Sequence, residues 1–469
     1  MFLMKRFLQP AWMLCAAFAI CLLPATSERL PCSTRPWVMT LVLLGFLVWI
    51  VDRLLFSRRG LQGTRSWWML VIGLLVYGWL MAFVPSAMVD EASGSLYPLD
   101  AEWWQAFGTM EQGRSMRAMT FVSLTMMLLL MTADLGCERI GRLVLASAIT
   151  LSGTLAAVTG LWMQTNADRV VFWHVPHAPV SVFGLFWYHG NAASYLNLAW
   201  PLGVWLMIGV LRARMRHAAR HVLVSVIAGS LNLQIVAVFV NVSKMGHALA
   251  LMEMLLLTLA LYLVHWRHHG GGMRRIVLMG LAVLAGVVLC AWFLGGAQGA
   301  SRWHVFSARG FDDPARRHAA MMALRIGNDA GWNGTGPGTF EVVSPHYAAL
   351  DTVTAPGWWR HAHCDYAQFF AEWGWMGCLV LLVGIGMPLR RMFAQWRDAL
   401  RTDADKSLSC HRRTGLACVS VAVVSLLLHA LVDFPFQIMA LQNLAVVMAA
   451  LLGGLSETSS KRGGRLMAR

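Results

Sequence analysis

Apolar stretches of about 17–22 residues recur along the chain, each closed by a short polar or basic segment, and roughly 20 helical residues cross a bilayer. The pattern predicts twelve spans, at 9–25, 36–52, 67–84, 118–134, 141–163, 192–211, 221–241, 247–265, 274–295, 367–388, 415–433 and 436–455. The expected fold is an all-α polytopic membrane protein. Helices one to nine fall in 1–295, a long loop in 296–366, helices ten to twelve in 367–455 and a tail in 456–469. The 389–414 segment reads as a solvated polar linker and the tail beyond Ser456 as disordered. No internal repeat of the kind common in transporters is visible.

The loop is too long for a connector and has a pattern of its own. Residues 314–330 open with Pro314 at a first-helical-turn position, and Ala319, Met322, Ala323 and Ile326 share one face. This predicts an amphipathic helix lying on a membrane surface. GTGPGTF (334–340) breaks it, and HAHCDYAQFF (361–370) runs into the tenth span, placing His363 at that helix's mouth.

Composition agrees with the pattern: 58% of residues are hydrophobic and only 13% charged, too few to cover a water-facing surface. The net charge of +15 invites a nucleic-acid reading, but its placement excludes one. Basic residues crowd alternate segments: Lys5 and Arg6; Arg53, Arg58, Arg59 and Arg65; Arg139 and Arg142; Arg212 to Arg220; Arg267 to Arg275; Arg390 to Arg413; and the tail. By the positive-inside rule both termini are cytoplasmic and 296–366 lies outside. Asp90, Glu91, Asp100, Glu102 and Glu111 then fall on the outer side, as do the aromatics of 164–190. The first apolar run reads as an uncleaved helix rather than a signal peptide. The nine cysteines show no metal spacing, and a Cys32–Cys364 disulfide on the outer side is an open option.

The candidate chemistry gathers on that outer side. His363 can take a proton from a hydroxyl near neutral pH, although an interfacial histidine with no catalytic role has the same signature. Arg316, Arg317 and Arg325 can clamp a pyrophosphate bidentately, or simply sit solvated near anionic headgroups. GTGPGTF can bring backbone amides to a phosphate, but it lacks a P-loop ending and also reads as a structural turn. Lys244, in the tight turn 241–248, either serves an anionic substrate or snorkels. His429 and Asp433 share a helix face at i,i+4, a spacing that equally suits a structural hydrogen bond. Asn191 and Glu372 are single polar residues at helix ends. The His361–His363 pair has no further ligand at metal spacing.

These residues together resemble the O-antigen ligase and polymerase superfamily of bacterial envelope glycosyltransferases. Arg316, Ala323–Leu324, Asp329, Gly334–Thr335–Gly336 and Phe340 match its helix-and-turn pattern. Ala362–His363–Cys364–Asp365–Tyr366–Ala367–Gln368 and Glu372 to Gly377 match its later stretch. His189–Gly190–Asn191 with Pro201, Ser243–Lys244–Met245–Gly246 and Asp433–Phe434 match its flanking pieces. The likeness covers roughly 184–440. Lys244 stands where the family has an arginine, and Cys364 where it has an asparagine.

The resemblance implies a GT-C-like helical glycosyltransferase in the bacterial inner membrane. It would transfer an undecaprenyl-pyrophosphate-linked glycan to a glycolipid or growing glycan at the periplasmic face, without metal, cofactor or nucleic acid. It assigns His363 as base and Arg316 and Lys244 as partners of the departing pyrophosphate; Arg317, Arg325, Asn191, Gly336 and Asp433 are the residues expected to bind substrate. Ligase, polymerase and protein O-oligosaccharyltransferase are all compatible. Outside the family, a polysaccharide or lipid transporter and a catalytically silent scaffold are the alternatives.

Overall fold

The structure, a computed structural model, describes residues 2–26, 34–56, 64–89, 96–99, 107–165, 182–266, 313–348, 359–401 and 408–466. Helices dominate it: α1 (Phe2–Leu22), α2 (Arg35–Val51), α3 (Trp68–Phe83), α4 (Gln112–Gly136), α5 (Arg139–Thr165), α6 (His189–Arg212), α7 (His217–Val240) and α8 (Lys244–Trp266). After the loop come α9 (Pro314–Ala330), α10 (Phe340–Ala348), α11 (Asp365–Arg401), α12 (Leu408–His429) and α13 (Met439–Leu466). Among the described residues nine helices are long and apolar enough to cross a membrane, and Trp68–Phe83 and Met439–Leu455 are shorter apolar ones. The expected spans coincide with these helices except 274–295, which lies outside the described residues. Leu47, Leu80, Val222, Leu255 and Leu382 point outward and exposed, the mark of a lipid-facing surface.

The core is built by α6, which packs against α5, α7 and α12, while α13 lies along α4 and α8 closes on α12. Small residues permit the closest approach: a Cβ on Gly454 would stand 2.3 Å from the Gly136 carbonyl carbon. Polar side chains buried between helices find partners there, as in the 2.8 Å hydrogen bond from Thr125 to Asn443.

Three expectations change. The linker 389–414 is largely helical, because α11 runs on to Arg401 and α12 starts at Leu408. Met392, Trp396 and Ala399 pack on the core, and the Trp396 indole donates to Ser420 at 3.0 Å, so this stretch is a half-buried continuation of the helix. The tail from Ser456 to Leu466 is a continuation of the helix α13. A two-stranded antiparallel pair, Ala87–Val89 with Leu96–Pro98, adds to the all-α expectation.

α9 forms where the pattern places it. Asp313 caps it, Pro314 occupies the first turn, and Gly331 ends it at φ +67°. Its apolar stripe (Ala319, Met322, Ala323 and Ile326) is fully buried. α9 packs on α11 and α10, so the stripe expected against a membrane surface is covered by protein. The glycine turn that follows is a latch. Gly338 N–H donates to Glu372 Oε2 at 2.9 Å and Phe340 N–H to Glu372 Oε1 at 3.3 Å. Gly374 sits at φ +61° where a Cβ would come within 2.4 Å of the Trp332 carbonyl oxygen, which only glycine tolerates. The α4 side seals the turn through Met110 N–H to Thr335 O, 2.8 Å, and Ser115 Oγ to Pro337 O, 2.8 Å.

Candidate active site

α9, the mouth of α11 and the turn after α12 converge on one acidic side chain, Asp433. The approach of α11 is fixed by backbone and carboxylate bonds. Asp365 N–H donates to Ala430 O at 2.9 Å, while the Asp365 carboxylate accepts Phe436 N–H at 2.8 Å and the Gln437 amide at 3.0 Å. Ala362 N–H donates to Gln368 Oε1 at 3.1 Å, tying the preceding strand of chain to the helix it enters. Between these ties stands His363 at φ +51°, the one non-glycine residue at positive φ among those described. Such a conformation is strained for an L-residue and persists where its surroundings over-determine it.

His363 Nδ1 lies 3.4 Å from Asp433 Oδ1, and its side chain is 19% exposed, so Nδ1 faces the carboxylate while the ring stays reachable. Arg316 Nη1 lies 3.9 Å from Asp433 Oδ2. The same guanidinium donates from Nη2 to Tyr188 Oη at 2.7 Å, and its Nε is 3.3 Å from Asp313 Oδ2. His429 Nε2 stands 3.7 Å from Asp433 Oδ2, with Nδ1 hydrogen-bonded to Ser194 on α6. The Phe434 ring centres the cluster: His361 stacks on it at 4.4 Å, Tyr188 at 5.4 Å, and His363 meets it edge-on at 4.9 Å. Trp359 closes the far side of His363 at 5.9 Å.

The charges balance within this cluster. Burial works against ionisation of Asp433, but the His363 contact and the charges of His429 and Arg316 outweigh it and hold the carboxyl below the ordinary range. Burial likewise works against the Arg316 charge, and Tyr188, Asp433 and Asp313 more than offset it. Tyr188 is pushed up by burial and by the neighbouring carboxylate, so its phenol keeps its proton. The result is a fixed anion between a histidine and an arginine.

The remaining expected residues divide. Lys244 begins α8, and its turn is tied to the site end of α6: Asn241 donates to His189 O at 2.9 Å, and Asn197 to Gly246 O at 3.0 Å. Asn191 is buried one turn along α6 from Tyr188, and among the described residues its Oδ1 has no hydrogen-bond donor. Arg317 is exposed beside Arg316. Arg325 lies at the other end of α9, 6.0 Å over the Tyr347 ring, whose hydroxyl is pushed up to about 12 by burial and by Asp329 against the pull of Arg325. Gly336 belongs to the latch, its N–H donating to Glu372 O at 2.9 Å and its α-carbon pressed on Thr109. Cys364 is a free thiol, and its proposed partner Cys32 lies outside the described residues. Among the described residues no group of three His, Cys, Asp or Glu is arranged to hold a metal ion.

Sequence reasoning undervalued Tyr188, Asp313, His429 and Phe434. Asp313 was legible as a helix cap just before Pro314. Tyr188 was not, since nothing local ties an aromatic at 188 to an arginine 128 positions later.

Residues 229–382 match the family described as O-antigen ligase. That stretch includes Lys244, Arg316 and His363, while Tyr188, His429 and Asp433 come from flanking parts of the chain. No curated protein matches the chain.

Proposed function

With a domain of the O-antigen ligase family carried by a multi-pass helical membrane protein as the premise, we propose that the chain transfers a polyprenyl-pyrophosphate-linked glycan to an acceptor hydroxyl. The observation that carries this reading is the convergence of His363 and Arg316 on Asp433 from opposite sides. Asp433 orients the imidazole through Nδ1, leaving Nε2 for the acceptor hydroxyl. The acceptor oxygen attacks the anomeric carbon as its proton passes to His363, and the bond from that carbon to the pyrophosphate oxygen breaks with inversion. The electron pair leaves on the pyrophosphate.

Arg316 meets that developing charge, and Lys244 adds a second cation from the neighbouring turn. Charges aimed where charge develops are an efficient form of transition-state stabilisation. Asn191 and Arg317 bind substrate around this pair. Arg325 and Gly336 contribute at the far end of α9 and through the latch. The reaction uses the residues' own acid–base chemistry and needs no metal or cofactor. Its face is periplasmic in an inner-membrane protein with both termini in the cytoplasm, and the catalytic loop is 296–366.

The test is complementation of a deletion strain with His363→Ala, Arg316→Ala and Lys244→Arg, reading surface glycan on gels. Loss of glycan on lipid A core with accumulation of lipid-linked polymer identifies a ligase; single-repeat products identify a polymerase. Normal glycan from the His363→Ala protein contradicts the base assignment. Lipid-linked glycan held on the cytoplasmic leaflet, shown by lectin accessibility, points instead to a transporter.

A further inference from the structure

His429, the last residue of α12, takes no part in the proposed proton transfer, yet its ring is turned toward the carboxylate beside the base. It is 1% exposed, and a buried imidazole is costly unless its nitrogens are engaged. Nδ1 is hydrogen-bonded to the Ser194 hydroxyl on α6, and Nε2 stands 3.7 Å from Asp433 Oδ2. Asp433 therefore lies between two imidazoles. Its Oδ1 accepts Phe434 N–H at 3.1 Å and lies 3.4 Å from His363 Nδ1, while Oδ2 faces His429 and, at 3.9 Å, Arg316.

A carboxylate does not fix its own plane. Rotation about the last bond of an aspartate is broad and roughly two-fold, so contacts on both oxygens decide where Oδ1 points. The first turn of α6 walls the Oδ2 side: a Cβ on Gly190 would stand 2.7 Å from that oxygen. Ser194 then decides which nitrogen of His429 meets Oδ2 with a proton. Its hydroxyl gives its proton to Nδ1 of a neutral ring, which leaves the ring proton on Nε2. With a charged ring it accepts from Nδ1 and turns its own proton to Gly190 O, 3.2 Å away. Both arrangements aim Nε2–H at Asp433. The contacts of 3.4 and 3.7 Å on the two sides are long for hydrogen bonds, and such contacts at catalytic groups often tighten when substrate binds.

We propose that His429 is a positioning residue: seated by Ser194, it holds Asp433 Oδ2 from behind and so keeps Oδ1 on Nδ1 of His363. The role rests on the proposed transfer reaction and acts through Asp433, without contact to substrate.

The experiment is single-turnover transfer by purified protein in nanodiscs from a polyprenyl-pyrophosphate-linked glycan, with donor binding measured alongside. His429→Leu is expected to slow transfer about tenfold and to leave donor binding within about threefold, as a loosened orienting group requires. His429→Gln, whose amide N–H can replace Nε2–H, should return the rate to within about threefold of wild type. Ser194→Ala keeps the ring and removes one hydroxyl, and it should slow transfer about threefold, the worth of one hydrogen bond. In an Asp433→Asn background, His429→Leu should change the rate by less than about twofold, because its effect passes through the carboxylate. A wild-type rate for His429→Leu, beside a slow His363→Gln protein, overturns the positioning role and leaves the transfer reaction standing. A loss that persists in the Asp433→Asn background, or that His429→Gln fails to reverse, overturns it as well. Where His429→Leu does not fold, a wild-type rate for Ser194→Ala does the same. A wild-type rate for His363→Gln overturns the transfer reaction and the role together.

Discussion

At the scale of single residues, Asp433 has two tasks that its environment makes compatible. Its Oδ1 lies 3.4 Å from Nδ1 of His363, and its charge offsets part of the Arg316 charge. Asp433→Asn is expected to lower kcat roughly 10²-fold or more by releasing the imidazole, with a small change in KM. The pH dependence follows from the sign of its shift. A carboxyl held below its ordinary value contributes fully above about pH 4 and loses that contribution only as pH falls through the lowered value. The ratio of wild-type to Asp433→Asn kcat should therefore show no step from Asp433 titration between about pH 5.5 and about 8.5. A step in that ratio within this window, traced to Asp433, would contradict the assignment. Tyr188→Phe removes the 2.7 Å donor contact from Arg316 and should weaken donor use about fivefold, the worth of one ordinary hydrogen bond near 1 kcal/mol.

At the scale of elements, the glycine turn and the Glu372–Gly377 stretch form a joint between α9 and α11. The bidentate capture of the Gly338 and Phe340 amides by Glu372 holds the turn after α9 against α11. Glu372→Ala leaves those donors buried and unmet. It should destabilise the protein by roughly 3 kcal/mol, seen as a fall of several degrees in Tm in detergent. Gly374→Ala combines an unfavourable φ with a backbone clash and should do the same. Both changes should lower activity in proportion to folded protein, in contrast to His363→Ala, which should leave Tm in place.

This joint also explains what the sequence could and could not reveal. The period of α9, its proline and its cap were local signals, and each appears where expected. The covering of its apolar face was not legible, because a stripe reads alike against lipid and against α11. Glu372 looked like a lone polar residue at a helix end, since its partners are amides more than 30 positions away.

At the scale of the whole molecule, hydropathy located the long apolar helices, as crossing a bilayer demands, and the family resemblance drew attention to the loop residues. Neither could bring Asp433, in the turn between the last two spans, against a loop arginine 117 positions earlier. That meeting depends on α12 packing between α6 and α8.

The central claim is that His363 takes the acceptor proton at a site assembled around Asp433. Its most direct test is single-turnover transfer by purified protein in nanodiscs, using a polyprenyl-pyrophosphate-linked glycan and comparing wild type with His363→Gln. The account predicts that His363→Gln retains donor binding within about threefold while transfer slows by at least roughly 10²-fold, the usual contribution of a positioned general base. Transfer by His363→Gln at the wild-type rate, with donor binding intact, would contradict it.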